Sequence, residues 1–246
     1  MAMQHPDQIR LLRGLGLCLS AALALALAMP AMAQMPSPSA CGDLGNGANG
    51  PFDYRNERRD LLMLGEANHF TPGVETLTRG KSSYIIGGDI HFILMMFPNH
   101  ARALMAMMRL GEKEKSQTTQ GALYPVECYF ERALRFRPDD NLVRMIYATF
   151  LSKNARTPEA LQQLEYVSAK AGDNAFTHYN AGLQYFELKQ YDKALAQAHA
   201  AIALDFPRTE LRELLKSVGK WIDPVAAPAP AASAASAASA AASAPP

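Results

Sequence analysis

Small and apolar residues in the second half of the chain recur at helical spacing, and the pattern returns after thirty-four positions. Ala148 and Ala160 are followed one period later by Gly182 and Ala194, so small residues twelve positions apart occur twice. The two helices of a hairpin approach closely only where small side chains meet, with larger apolar groups around them. The pattern therefore predicts consecutive helical hairpins. The same period also matches Tyr147 with Ala181, Leu151 with Tyr185, Leu164 with Ala198, and Val167 with Ala201.

Residues that favour helix starts lie where this pattern requires them. Asp140 or Asn141 is a candidate cap for the helix through the first matched segment, and Asp173 or Asn174 for the helix one period later. Thr157 is followed by a proline, as at the first position of many helices. Local signals and the longer period thus predict the same helices.

Both ends of the predicted array are irregular. Residues 97–111 predict a first helix, but a polar loop of about a dozen residues precedes its partner near Pro125. Such an insertion either carries specificity or is a neutral solvated loop. At the other end, leucines between Thr209 and Trp221 lie on one helical stripe, with Gly219 as its stop. A terminal helix of this kind covers the exposed face of the last hairpin.

Particular residue types recur in two consecutive units and in part of a third. In the last unit they are Gly182, Tyr185, Tyr191, Ala194, Ala201, Phe206 and Pro207, and one unit earlier they are Ala148, Leu151, Ala160 and Asp173. The segment CYFERALRFRPDD, from Cys128, adds an AL-x-F-x-P ending. Between about Pro98 and Pro207 the chain resembles the tetratricopeptide repeat. The resemblance implies an all-α, short solenoid of about three helical hairpins with a capping helix.

The two ends of the chain have a different composition from the array. Two arginines, a short apolar run and an Ala-x-Ala site predict a signal peptide over residues 1–33, cleaved after Ala33. The mature protein is then periplasmic or secreted, and lipidation at Cys41 is the alternative. Residues 224–246 contain mainly alanine, serine and proline, which predicts a disordered tail. A further hypothesis is that the protein acts as an envelope spacer through this tail.

The segment between the signal and the array has its own character. Residues 34–97 predict a turn-rich N-terminal extension, and residues 98–223 the repeat domain with its capping helix. The extension is expected to hold one short helix, from about Thr71 to Arg79, and a brief strand before a helix that follows Asp89. Its CG-x-L, GP-x-DYR, HFTP-x-VE, GGDI and FPNH-x-RAL motifs are similar to those of exported bacterial repeat proteins, a resemblance that implies export but no activity.

Charge and hydropathy exclude two classes of partner. The chain has 24 basic and 23 acidic residues, and removing two arginines and one aspartate with the signal leaves 22 of each. Balanced charge gives no electrostatic footprint for nucleic acid. After signal cleavage no apolar run is long enough to predict an integral membrane span. Two cysteines, Cys41 and Cys128, remain in a compartment that permits disulfides, and they are either paired or two free buried thiols.

The candidate site is the concave groove lined by the first helix of each hairpin. Its residues are predominantly apolar or aromatic, which suits a short peptide or an amphipathic segment of an envelope protein. The alternative is that residues 42–97 fold back and cover these side chains. No cofactor or metal is predicted. The groove-lining residues are Leu142, Met145, Thr149 and Ser152 in one unit, and Phe176, Tyr179, Leu183 and Phe186 in the next.

A rival hypothesis places an enzyme or small-ligand site between the extension and the first hairpin. Polar residues there are of types that hold ligands or metals, but the histidine spacings match no helical ligand pair. Histidines that cap helices or bond locally are the simpler interpretation. The protein is therefore predicted to be a non-catalytic binding scaffold. The rival site would use His69, Asp89, His91, Asn99, His100 and Arg102.

Overall fold

The computed structural model describes residues 40–45 and 50–224, so the predicted signal peptide and residues 225–246 of the predicted tail lie outside it. The described residues form ten α-helices and no β-strand, which confirms the predicted all-α fold. The helices are α1 (Arg59–His69), α2 (Pro72–Glu75), α3 (Ile86–Met96), α4 (Ala101–Glu114), α5 (Val126–Phe136), α6 (Asn141–Lys153), α7 (Thr157–Lys170), α8 (Ala175–Glu187), α9 (Tyr191–Ala203) and α10 (Glu210–Ser217).

Helices α6 and α7, and helices α8 and α9, form two regular hairpins with the most extensive packing in the molecule. Each helix of the second hairpin begins thirty-four residues after its counterpart. The turns are equivalent, because Ala155 and Lys189 both have left-handed backbones, with φ 59° and 58°. The next N–H groups, of Arg156 and Gln190, donate to carbonyls at the end of the preceding helix, at 2.9 and 2.8 Å. The thirty-four-residue period of the sequence is therefore matched by a backbone conformation that repeats at the same interval.

The residues predicted to line the helix contacts are buried. Ala160, Leu164 and Val167 of α7 and their counterparts on α9 are almost fully excluded from solvent. On α8, Gly182 faces both α9 and α10, and a Cβ at this position would lie 3.5 Å from the Ala194 carbonyl oxygen. Small residues therefore stand where neighbouring helices come closest, as helix packing requires.

The repeated architecture begins earlier than the predicted boundary at residue 98. Helices α3 and α5 have equal length, and α5 begins forty residues after α3. Phe97, after α3, has φ −128° and ψ 80°, and Arg137, after α5, has φ −133° and ψ 83°. Ile93 and Ala133 accept equivalent hydrogen bonds from these two residues. Helix α3 is therefore a counterpart of α5, and α1 packs against α3.

The extension differs from its prediction in two ways. It holds an unpredicted helix, α1, in addition to the short helix α2 and the later helix α3, and α1 was missed because Leu62 and Gly65 are its only buried residues. The expected strand before α3 is absent, and residues 82–85 are bends. Gly87 and Gly88 let the inserted loop 115–125 lie against α3, since a Cβ on Gly87 would be 2.2 Å from the Gln120 carbonyl oxygen. The glycine pair of the GGDI motif thus lies inside a helix.

Helix α10 closes the array, as predicted. Its buried Leu211 and Leu215 pack against α8 and α9. The helix ends before Val218, and Gly219 follows with φ 68°. It is shorter than the predicted segment to Trp221, whose ring lies edge-on to His199 of α9.

Candidate partner-binding face

The first helices of the consecutive pairs, α4, α6 and α8, lie side by side and present one common face. Equivalent positions along this face are forty residues apart between α4 and α6 and thirty-four apart between α6 and α8. Arg102, Leu142 and Phe176 form one such set. Leu142 is 43% exposed and Phe176 is 54% exposed, so two large apolar side chains at equivalent positions face solvent. Thr149, Ser152, Leu183 and Phe186 are half-buried on the same face.

Two of the predicted groove residues are not available at the surface. Met145 is 3% exposed and Tyr179 is 5% exposed. The Tyr179 ring is covered by Phe206, at 4.8 Å between centroids, and its hydroxyl donates to Glu210 Oε2 at 2.8 Å. Burial and this carboxylate both raise the pKa of Tyr179. The connection between α9 and α10 thus folds over α8 and makes Tyr179 a structural residue, which the repeat register did not indicate.

A pocket of about 330 Å³ opens beside the exposed aromatic ring on α8. Three of its seven lining residues are predicted groove residues and a fourth is Asn180 of α8, while the other three come from the connection between α9 and α10 and from the first residue of α10. The sequence marked Phe206 only as the end of a repeat and did not single out Arg208 or Glu210. The pocket is lined by Phe176, Tyr179, Asn180, Leu183, Phe206, Arg208 and Glu210.

Helix α2 covers the same face over α4. The Arg102 guanidinium donates to both Glu75 carboxylate oxygens, with Nε 2.8 Å from Oε1. Arg109 donates to the Glu75 carbonyl oxygen at 3.2 Å, and Lys113 to the Leu77 carbonyl oxygen at 2.8 Å. Part of the extension therefore occupies the face at α4, while Leu142 and Phe176 on the next two helices stay exposed.

The six polar residues of the rival site are divided among several hydrogen-bond networks: His69 and Asp89 share one, and His100 and Arg102 both bond to Glu66 Oε1. His69 Nδ1 donates to Asp89 Oδ1 at 3.0 Å, and the same buried carboxylate accepts backbone N–H groups of Lys81 and Ser83. Burial opposes ionisation of Asp89, but these hydrogen bonds outweigh it and lower its pKa. This network pins residues 81–83 onto the start of α3. His91 lies elsewhere, with Nδ1 2.7 Å from the Tyr129 hydroxyl.

Asn99 belongs to a buried cluster centred on Asp53, a residue that the sequence did not single out. Its amide donates to Asp53 Oδ1 at 2.8 Å and to Asp140 Oδ2 at 3.0 Å. Arg55 and Arg137 donate to the same Asp53 carboxylate, Arg137 at 2.6 Å. Burial opposes ionisation of Asp53, but the three side-chain donors outweigh it and hold its pKa well below the usual range. The cluster fixes the extension to the starts of α4 and α6.

His100 is a buried helix cap. The Ala103 N–H donates to His100 Nδ1 at 3.2 Å, so Nε2 carries the proton and donates to Glu66 Oε1 at 3.0 Å. Burial lowers the pKa of His100 to about 3, and the nearby Arg102 charge acts in the same direction. The imidazole is therefore neutral near pH 7 and joins α1 to the start of α4, with Tyr54 stacked on it at 4.0 Å.

A disulfide joins Cys41 to Cys128 of α5, with 5.0 Å between the Cα atoms. Arg132, one turn later, is buried and donates through Nη1 to the carbonyl oxygens of Cys41 and Asp43 at 2.9 and 2.8 Å. Gly42 has φ 66° and lies under the Tyr124 phenol. The segment 41–43 is thus attached to α5 by one covalent bond and by arginine hydrogen bonds.

The described residues offer neither a metal-binding cluster nor a membrane-spanning helix. Within residues 40–45 and 50–224, no group of three or more histidine, cysteine or acidic side chains is arranged to hold a metal ion. None of the helices in this part of the chain combines the length and apolarity of a membrane span. Comparison with protein-family models, with curated proteins and with solved structures finds no significant match.

Proposed function

We propose that the protein is a non-catalytic scaffold of the tetratricopeptide-repeat type, which holds a segment of another protein on one face of helices α6 and α8. This α6–α8 face consists of Leu142, Thr149 and Ser152 of α6 and Phe176, Leu183 and Phe186 of α8. The repeat assignment is supported by hairpins that recur after thirty-four residues, with equivalent turns and buried small residues at the helix contacts. The predicted signal peptide supports an envelope location for this activity, in a periplasmic or secreted protein.

The observation that carries the proposal is the exposure of Leu142 and Phe176 on adjacent first helices. Large apolar side chains that share one face beside a pocket are typical of surfaces that bind a partner. The rival small-ligand or metal site has less support, since its six candidate side chains are engaged in networks that join elements of the fold.

Site-specific photo-crosslinking tests the proposal in cells that express the full chain. A photoreactive phenylalanine analogue replaces Phe176 in one version and Ile202 in the other. Ile202 lies on α9 and is 38% exposed, so it is an accessible apolar control on a second helix. Adducts with another protein are expected from position 176 and not from position 202. Equal adducts at both positions, or none at either, would contradict the proposal.

A further inference from the structure

The α6–α8 face is closed at its α4 end by a part of the chain that cannot readily leave. Helix α2 lies over α4 through Arg102, Arg109 and Lys113. The segment that carries α2 is anchored by three buried side chains, Phe70, Val74 and Leu77. Displacing this segment would expose all three apolar side chains to water, so its displacement by a weakly bound partner is unfavourable.

The opposite end is closed by the connection into α10. Phe206 covers the Tyr179 ring, and Glu210 accepts a hydrogen bond from the Tyr179 hydroxyl. The face that stays open therefore spans two helices, α6 and α8. Packed helices lie about 8 to 10 Å apart, so two of them give a span of roughly 20 Å. An extended peptide rises about 3.3 Å per residue, and about six residues cover that distance.

The charges on the face change where the cover ends. On α4 the concave positions hold Arg102 and Arg109, which engage a carboxylate and a carbonyl oxygen of α2. The positions equivalent to Arg102 and Arg109 hold uncharged side chains on α6 and α8, namely Leu142, Thr149, Phe176 and Leu183, whereas the position of Lys113 is charged again, as Lys153 and Glu187 at the ends of these helices. A carboxylate or ammonium of a partner centred on these four side chains would lose hydration without gaining a free counter-ion, because Arg208 and Glu210 at the pocket rim already pair with each other.

We infer that the occupant of this face is a short, uncharged segment of another protein, with about six residues in contact and one bulky apolar side chain in the pocket beside Phe176. The inference rests on the proposed function and names the class of partner. The segment continues the surface that α2 already occupies in cis over α4. Arg208 and Glu210, one of each sign at the pocket rim, contact the flanking residues and set the register.

A displayed library of random twelve-residue peptides tests the inference with the purified full chain as bait. The selected peptides are expected to share an uncharged stretch of about six residues that contains a large apolar side chain. Replacing its central residue by aspartate is expected to weaken binding at least tenfold. The bait variants Phe176→Ser and Leu142→Ser are expected to weaken binding at least fivefold, whereas Ile202→Ser, the same change at a similarly exposed site on α9, leaves it unchanged.

The outcomes separate the inference from the proposed function. Peptides that lose affinity on Phe176→Ser but carry a charge at their centre, or need far more than six residues, overturn the inference and leave the proposed function standing. A library that yields no peptide sensitive to Phe176→Ser or Leu142→Ser overturns both. A mass in solution that rises with concentration for the wild type but not for Phe176→Ser identifies a second copy as the occupant and also overturns the inference.

Discussion

Gly182 of α8 faces Leu211 of α10 so closely that a β-carbon on the glycine would lie 2.4 Å from Leu211 Cδ2. The capping helix is therefore seated on a position without a side chain. Alanine at the equivalent position of the previous hairpin, Ala148, is tolerated there and is fully buried. The relationship explains why glycine stands at this point in the last unit.

Gly182→Ala is expected to destabilise the protein by up to about 2 kcal/mol, because overpacking against buried Leu211 costs about 1 to 3 kcal/mol and the better helix propensity of alanine offsets about 1 kcal/mol of it. Urea unfolding measures this difference. In a Leu211→Ala background the same substitution should cost nothing or stabilise, because the leucine methyl that it meets is gone. An equal cost in both backgrounds would contradict the assigned contact.

The two equivalent helix caps are expected to differ in strength. Asn174 accepts only the Thr177 N–H at 2.9 Å, so Asn174→Ala should cost about 1 kcal/mol. Asp140 is buried and accepts from both Val143 N–H and the Asn99 amide, so Asp140→Ala should cost about 2 to 3 kcal/mol. Chemical denaturation compares the two variants. Equal costs would mean that the Asn99 contact contributes nothing.

Acidification is expected to destabilise the protein through His100. Its folded pKa, about 3, lies below the usual value of 6.5, so the unfolded chain binds the proton more readily, and stability falls as pH decreases from about 6.5 towards 3. The loss from this group between pH 7 and pH 5 is about 2 kcal/mol. The free energy of unfolding is measured at pH 7 and pH 5 for the wild type and for His100→Asn, which keeps a capping side chain. The difference in free energy between the two proteins should be smaller at pH 5 than at pH 7 by that amount. A constant difference would contradict a buried neutral imidazole.

Reduction of the disulfide is expected to lower stability by about 2 to 4 kcal/mol, because the bond closes a loop between residues 87 positions apart. Loss of the tether should also free the carbonyl oxygens of Cys41 and Asp43 from buried Arg132. Unfolding with and without a dithiol reductant measures the change. The variant with serine at both cysteine positions is the control, and its stability should not respond to the reductant.

The later hairpins were predictable because their signals are local and repeated. Ala148, Ala160, Gly182 and Ala194 have the spacing that close helix contact demands, and all four are buried. Helix α3 was less visible, since Gly87 and Gly88 are explained only by the approach of a loop some thirty residues later. A contact that repeats along the chain leaves a periodic pattern in the sequence, whereas a contact that occurs once leaves none.

Only those features of the candidate site that follow from the repeat register could be predicted from the sequence. The repeat register assigned Leu142 and Phe176 to the groove, and both side chains are exposed to solvent. Register says nothing of the segment that covers Tyr179, because Phe206 reaches it from the connection between two helices. The histidines at 69, 91 and 100 were close in sequence, yet each lies on a different element or helix end and bonds to a different neighbour.

The close approach of the Gln120 carbonyl to Gly87 has a consequence for how the chain varies through evolution. The glycine pair in α3 and the length of the 115–125 loop are expected to vary together, because the loop can lie against α3 only where the helix has no side chain. Homologues that shorten the loop are free to replace Gly87 and Gly88 by residues with better helix propensity. Homologues that keep the loop must keep both glycines. The loop and the glycine pair should therefore be gained and lost together along a phylogeny.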